Sequence, residues 1–448
     1  MALGLRLVSI CVVASFYGAA ATAHSETVDL LRPMIAESDA QVESVEEPAA
    51  IPSLTIALEE VQVPLKTIRP ITDPYAAPGM ELGGIILYPS LEAGTVYTSN
   101  VASSATDARS DFGLSVIPSL RFESDWVRHS WTGQAAGDFV AYLENEDYDS
   151  MQFDASSTFR LDIRHTTRAE FDASYALSQE SSADSEVPDT AIGNRTDHTL
   201  MANAAIIHDL GRFEGRAKVG IERQIFEDVD LSGGGTEDNS DRDNYTPSLA
   251  LRFSYTDPPA LKPFVELAYA PRFHDEKFDR NCLRRDSQGI TASVGVTLDQ
   301  GPLWLGEMAL VYAVRDYEDS ALATNEVFGV NGNLIWSPTE LTTVEMTLAT
   351  ALNESASATS SGTKTWSGRI DVAHELREKV TLHGGFGVEF ERFSGGTDTT
   401  LSPNLGIEWQ LNPNLAWTAG YDGTWFEAAD SGGNYNEQRL MTGIVLRR

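Results

Sequence analysis

From residue 85 onward the chain alternates apolar and polar residues with a period of two, in run after run. Successive side chains of a β-strand point to opposite faces, so this alternation is the mark of strands with two chemically different sides. In residues 111–123, Phe112, Leu114, Val116, Leu120 and Phe122 share one face, while Asp111, Ser115, Ser119, Arg121 and Glu123 share the other. In 151–164, Met151, Phe153, Ala155, Phe159, Leu161 and Ile163 alternate with Gln152, Asp154, Ser156, Thr158, Arg160, Asp162 and Arg164. In 212–222, Phe213, Ala217, Val219 and Ile221 oppose Arg212, Glu214, Arg216, Lys218 and Glu222. Near the end, Leu401, Leu405, Ile407, Trp409 and Leu411 face away from Ser402, Asn404, Glu408 and Gln410.

Eighteen such runs follow one another: 86–98, 111–123, 130–143, 150–163, 167–178, 195–207, 212–226, 243–256, 261–273, 288–299, 302–316, 326–337, 340–352, 364–376, 379–392, 399–411, 414–426 and 435–447. They exceed the ~5–6 residues of a globular strand. They also exceed the ~9–11 residues that a tilted strand needs to cross a bilayer. The connections alternate in length. Short ones (Asp209-Leu210-Gly211, Gln300-Gly301, Pro338-Thr339, Asn412-Pro413) follow even-numbered runs, and longer polar ones (99–110, 179–194, 227–242, 274–287, 353–363, 427–434) mostly follow odd-numbered runs. Short turns at one end and long loops at the other are the pattern of transmembrane barrels. A soluble sheet has no reason to keep loop length on one side. The expected fold is therefore all-β: an antiparallel up-and-down transmembrane barrel of about eighteen strands, with both ends of the barrel sequence on the periplasmic side.

Charged residues within the runs fall almost wholly on the polar face. A one-residue slip would reverse every side chain. In the second run it would place Arg121 in lipid, at roughly 2–4 kcal/mol near the midplane. Aromatic residues gather near run ends, where interfacial girdles sit: Tyr88, Tyr97, Trp126, Trp131, Tyr269, Trp304, Tyr312, Trp336, Trp366, Trp409, Trp417 and Trp425.

The chain before residue 85 has a different texture. Arg6, the apolar run Leu7 to Ala21 and Ala21-Thr22-Ala23 read as a cleaved secretory signal over 1–23. Residues 24–84 hold many acids and prolines at 33, 48, 52, 64, 70, 74 and 78, a composition that rarely builds a core. They read as a largely flexible periplasmic extension, with a lumen plug or a docking segment as the sharper alternative. Of the two cysteines, Cys11 leaves with the signal, and Cys282 alone cannot form an intramolecular disulfide. The formal charge of −34 argues against a nucleic-acid partner, which calls for a basic surface.

The first part of the barrel region also carries a resemblance. Leu87-Tyr88-Pro89-Ser90-Leu91-Glu92, Gly94, Tyr97-Thr98-Ser99-Asn100-Val101, Val116-Ile117-Pro118-Ser119-Leu120, Ser124-Asp125-Trp126, Arg128-His129, Tyr142 and the acidic stretch 144–149 resemble the outer-membrane β-barrel porin type 2 family. The likeness spans roughly residues 80–448. It implies a bacterial outer-membrane location and channel activity, and some similar barrels accompany polysaccharide synthesis and export.

The polar face supplies candidate pore-lining groups: Arg121, Glu123, Asp154, Arg160, Asp162, Glu170, Asp172, Arg212, Glu214, Arg216, Lys218, Glu222, Glu266, Arg272, Arg369, Asp371, Glu389 and Glu408. Arg164, Arg252, Arg315, Glu345 and Glu391 belong to the same face. These residues serve either a charged pore that sorts solutes or a salt-bridged interior that only stabilises the wall. Barrels of 16–18 strands leave an aqueous channel, which favours the pore. Loop 227–243 opens with Asp228-x-Asp230-x-Ser232-Gly233, like a calcium loop, but Asn239 stands where a bidentate Glu belongs. A hydrated acidic loop is the plainer reading. Gly384-Gly385-Phe386-Gly387 lies in a strand with no following helix, so it is no phosphate cradle. The histidines show no ligand spacing, and no nucleophile-elbow motif is present. No enzyme activity, catalytic residue, metal or cofactor is expected.

The sequence thus points to a passive channel for polar solutes. An exopolysaccharide export conduit working with periplasmic partners, or a non-conducting surface recognition barrel, stand as alternatives. Expected partners are outer-membrane lipid and lipopolysaccharide, the outer-membrane assembly machinery and periplasmic polysaccharide-export proteins.

Overall fold

The computed structural model describes residues 77, 79–180, 192–257, 259–353, 361–429 and 433–448. The expected signal segment and nearly all of the acidic lead-in lie outside the described residues. The eighteen long strands are β1 (Ile85–Thr98), β2 (Asp111–Ser124), β3 (Ser130–Tyr142), β4 (Ser150–Arg164), β5 (Thr167–Glu180), β6 (Arg195–Asp209), β7 (Phe213–Phe226), β8 (Asn244–Tyr255), β9 (Leu261–His274), β10 (Ser287–Asp299), β11 (Trp304–Tyr317), β12 (Asn325–Thr339), β13 (Thr342–Asn353), β14 (Thr363–Arg377), β15 (Val380–Phe393), β16 (Gly396–Asn412), β17 (Leu415–Glu427) and β18 (Tyr435–Arg447). Each pairs antiparallel with its sequence neighbours, and β18 pairs with β1 from Ser90↔Arg447 to Thr98↔Arg439, which closes the sheet. Each expected run matches one of these strands, with ends that differ by a few residues. Closure is what a bilayer demands: an open edge would leave backbone groups with no hydrogen-bond partner in hydrocarbon.

The apolar face is the outer one. Phe112, Leu114, Val219, Ile221, Leu251, Val265, Leu267, Val294, Leu310, Phe328 and Leu405 are all exposed, in a continuous band around the wall. Their strand neighbours Asp111, Ser115, Glu222, Glu266, Ser293 and Asn404 point inward and are buried. Single-turn 3₁₀ segments at Glu146–Tyr148 and Ser240–Arg242 interrupt the long loops. The last lead-in residues return to the wall: Met80 and Glu81 pair with Leu87 and Ile86 at the start of β1.

At the short-turn end, Trp126 lies 6.4 Å from both Trp131 and Phe159, and Trp304 stacks on Trp336 at 5.4 Å. Tyr88 does not join this girdle. It lies on the inner face, donates its hydroxyl to Glu123 at 2.8 Å, and carries Arg121 over its ring at 4.5 Å.

Prolines leave gaps in three ladders: Pro118 in β2, Pro247 and Pro271 across β8–β9, and Pro403 in β16. Proline has no N–H to donate, so the rung is lost there. A longer gap has another origin. The ladder between β12 and β13 ends at Gly332↔Leu348, although β12 stays paired with β11 up to Asn325 and β13 stays paired with β14 up to Asn353. Above that point Thr350 and Leu352 lie against the inward side of β12. Leu352 is 1% exposed and packs with Ala270, Ala313 and Val327. Gly329 permits this: a Cβ there would come within 2.1 Å of Thr350 Oγ1. The indole N–H of Trp366 on β14 reaches the Phe328 carbonyl at 3.1 Å and helps close the seam.

Candidate functional site

The inner wall gathers the charged residues that alternation assigned to it, and it holds most of them in mutual contact. On β4 and β5, Arg160 contacts Asp162 at 3.0 Å, and Arg168 contacts Glu170 at 3.1 Å. Arg168 also reaches Glu214 at 3.2 Å, and Arg216 reaches Glu170 at 3.4 Å. Asp172 accepts the Thr158 hydroxyl at 2.8 Å. Thr158 and Asp172 are directly opposed across β4–β5, where side chains on one face lie within reach, whereas Arg168 and Arg216 reach Glu214 and Glu170 across the intervening β6, over its inward Ala205 and Ile207.

A second group lies on β8, β9 and β11. Arg252 donates to both Glu307 carboxylate oxygens, one of them at 2.9 Å, and lies 3.8 Å from Glu266. Its guanidinium also sits 3.5 Å from the centroid of Phe264, a cation–π contact. A planar guanidinium suits this double role, because its fork grips a carboxylate edge while its face lies on a ring. Higher up, Arg315 donates to Ser287 at 2.8 Å and to the Ala270 carbonyl at 3.3 Å, and Arg272 reaches Thr246 at 3.3 Å. Glu222 is buried and faces these two arginines.

The remaining arc, β13 to β18 with β1, has a different balance. Glu345, Asp371, Glu389, Glu391, Glu408, Asp422, Glu437 and Glu92 point inward there. Among the described residues the inward arginines of this arc are Arg369, Arg439 and Arg447. Arg369 grips Asp371 with bonds of 2.6 and 2.7 Å, and Arg447 holds Glu408 at 2.6 Å. Arg439 sits among Asp138, Asp422 and Glu437. Glu345 accepts from Asn333 at 2.8 Å.

One candidate is misplaced by the periodicity. Arg212 lies in the turn before β7, is largely exposed, and contacts Asp257 across the adjoining turn at 3.5 Å. The strand starts one residue later than the alternation, and the turn at Gly211, with φ of 92°, takes Arg212 out of the wall. All other candidates sit on the inner face. Glu307 went unrecognised as a partner of Arg252. On β11 the inward residues Leu305, Ala309, Val311 and Ala313 are as apolar as the outward Met308, Leu310, Tyr312 and Val314, so alternation carries no contrast there.

Part of the acidic loop 227–243 is neutralised from the neighbouring loop. The Arg280 side chain donates to Asp241 at 2.8 and 2.9 Å, to Asn239 at 2.8 Å and to the Asp238 carbonyl at 2.9 Å, and it also pairs with Glu237. The Arg280 backbone N–H donates to Asp241 as well. Burial alone would raise the Asp241 pKa, yet the bonds from Arg280 hold it below the ordinary carboxylate value. The same loop pair is tied again by Arg223, which bonds Asp275 at 2.6 and 2.7 Å and Asp243 at 3.3 Å. Asp228 accepts the Asn239 N–H at 3.1 Å. No cluster fit to hold a metal occurs among the described residues. Cys282 is exposed in the 275–286 loop.

Comparison with known proteins places this architecture. No curated protein matches the sequence. The fold is similar to the outer-membrane protein OpdK of Pseudomonas aeruginosa, with 12% identity, 81% of this chain and 99% of that one covered, and a TM-score of 0.38. It is similar to OccK8 (OprE) of the same organism, with 12% identity, 81% and 98% covered, and a TM-score of 0.39. It is also similar to the FrpB iron transporter of Neisseria meningitidis, with 8% identity, 83% and 82% covered, and a TM-score of 0.37. A family model described as "Putative beta-barrel porin 2" matches residues 73–448. With its closed eighteen-stranded wall, apolar outside and charged inside, the chain belongs to this β-barrel porin family.

Proposed function

We propose that the barrel is a passive channel for polar solutes, with a lumen that favours cations. The observation that carries this reading is the sorting of charge around the inner wall. Strands β4 to β11 pair their acids and bases closely, whereas β13 to β18 with β1 present carboxylates well in excess of Arg369, Arg439 and Arg447. A wall of this kind sets a lateral field across a bore that an eighteen-stranded barrel is wide enough to hold. Excess carboxylate in a low-dielectric wall raises the local concentration of cations and lowers that of anions. The short turns and the chain's last strand end face the periplasm, and the long loops face outward.

The test is reconstitution of the purified protein in planar bilayers. Ohmic conductance with a reversal potential displaced toward the cation in a salt gradient is the expected result. A bilayer that stays silent at high protein density would remove the channel reading.

A further inference from the structure

We propose that the outward face of β14 and β15 at the long-loop end binds the phosphate of an outer-leaflet glycolipid, through Lys364 and Arg392. The two residues are directly opposed across the β14–β15 ladder. They share the outward face with Trp366, Ile370, Phe386 and Phe390, since Thr363, Thr365, Arg369 and Asp371 hold the alternate inward positions. Arg392 is exposed and Lys364 half-buried. Neither has an ion pair or hydrogen-bond partner among the described residues. Like charges directly opposed on one sheet face destabilise the pair. In a chain of net charge −34, where Arg109, Arg223, Arg280, Arg284 and Arg285 near the same end are each paired with an acid, two opposed cations with no acid partner among the described residues are a departure. An anion from outside the chain would relieve it.

The residues beneath name that anion's carrier. Trp366↔Phe390 is the next pair down this face, and Ile370↔Phe386 lies below it across Gly368↔Val388. Phe390, Phe386 and Ile370 are 44%, 50% and 48% exposed. Each pair step of two residues covers ~6–7 Å along the strand. Descending from the rim, the face therefore offers two cations, an aromatic pair and then aliphatic and aromatic surface. That order matches a lipid with a phosphorylated head, an interfacial sugar and acyl chains. Arginine suits phosphate through its bidentate fork, and lysine adds a point charge. The apolar column is part of the band that encircles the wall, against which acyl chains lie, so a phosphate carried on a lipid meets the cations and that band together.

This inference rests on the long loops facing outward, not on conduction. The test uses the full-length protein in detergent, with lipid A and its dephosphorylated form as probes, read by native mass spectrometry and by the unfolding temperature. Wild type should prefer the phosphorylated lipid. The double variant K364Q/R392Q should lose roughly thirtyfold in apparent affinity for it, while its lipid-free unfolding temperature stays level or rises because the repulsion is gone. K364R should keep the preference, and R392Q alone should show a partial loss if the double variant inserts poorly. Equal binding of both lipid forms by wild type, or an unchanged preference in the variants, overturns the proposal. So does displacement of the lipid by inorganic pyrophosphate at equal concentration, which would mark a free-anion site. Protease shaving of intact cells reads the loop orientation separately.

Discussion

The hydroxyl of Thr350 completes the barrel wall at Val330: it accepts the Val330 N–H at 3.1 Å and donates to the Val330 carbonyl at 3.1 Å. One side chain thus stands in for a backbone rung where the β12–β13 ladder has ended. Asn331 adds a bond to the Thr350 N–H at 2.8 Å. The seam is therefore closed by side chains, and it is sensitive to single substitutions in a way that ordinary ladder positions are not.

Thr350→Val keeps the shape of the side chain and removes both bonds to Val330. With water excluded, the stranded N–H and carbonyl cost about 1–3 kcal/mol. Thr350→Ser keeps the hydroxyl and should retain most of the stability. Urea unfolding in detergent, read by the loss of the compact band on unheated gels, should rank the variants wild type, Ser, Val. Gly329→Ala should be at least as damaging as Val, because the new methyl occupies the position of Thr350 Oγ1.

Arg252 holds Glu307 and approaches Glu266 on the inner wall. Replacing it with Gln leaves two buried carboxylates without their cation, a loss of about 3–5 kcal/mol for a fully buried pair and less where water reaches it. The wall also becomes more acidic on its balanced side. R252Q should lower stability and increase the cation-over-anion permeability ratio in bilayers. A ratio unchanged from wild type would show that this group does not face the conducting path.

The acidic arc makes the opposite prediction. Glu345→Gln with Glu389→Gln removes two inward carboxylates and no base. Reversal potentials should move toward the non-selective value, with conductance for a neutral sugar in liposome swelling unchanged. If selectivity survives this double change, the field of the β13–β18 arc is not what sorts ions.

The Asp241 and Asp275 ion pairs of the loop clasp have a pH dependence whose sign follows from their lowered pKa values, against the opposite contribution of Asp243, which burial raises. Hydrogen bonds from Arg223 hold Asp275 below its ordinary value, and those from Arg280 do the same for Asp241 against the effect of burial. A depressed folded-state pKa contributes stability that is present above the unfolded value near 3.9 and is lost as pH falls through the folded value. The 227–243 and 275–286 loops should therefore stay protected from hydrogen exchange at pH 5 and open only below the ordinary carboxylate range. Arg280→Gln should open them at neutral pH and leave the barrel strands protected.

The alternation, with the parity of loop lengths, gave about eighteen strands, their ends to within a few residues and the chemistry of each face, because a two-residue period fixes which side chains share a side. It also determined closure, since lipid outside leaves an open edge no partner for its backbone. The sequence could not show which inner charges meet. Arg168 with Glu214, and Arg252 with Glu307, are 46 and 55 residues apart and join only through strand register. Nor could it show the seam: nothing in Gly329, Thr350 or Leu352 taken singly departs from a regular strand, and only the packing of Leu352 onto Ala270, Ala313 and Val327 draws β13 inward. Neutralisation of the acidic loop by Arg280 was hidden for the same reason. Local pattern decides the faces of a strand, but pairing between distant charges is decided by which strands and loops the closed sheet sets side by side.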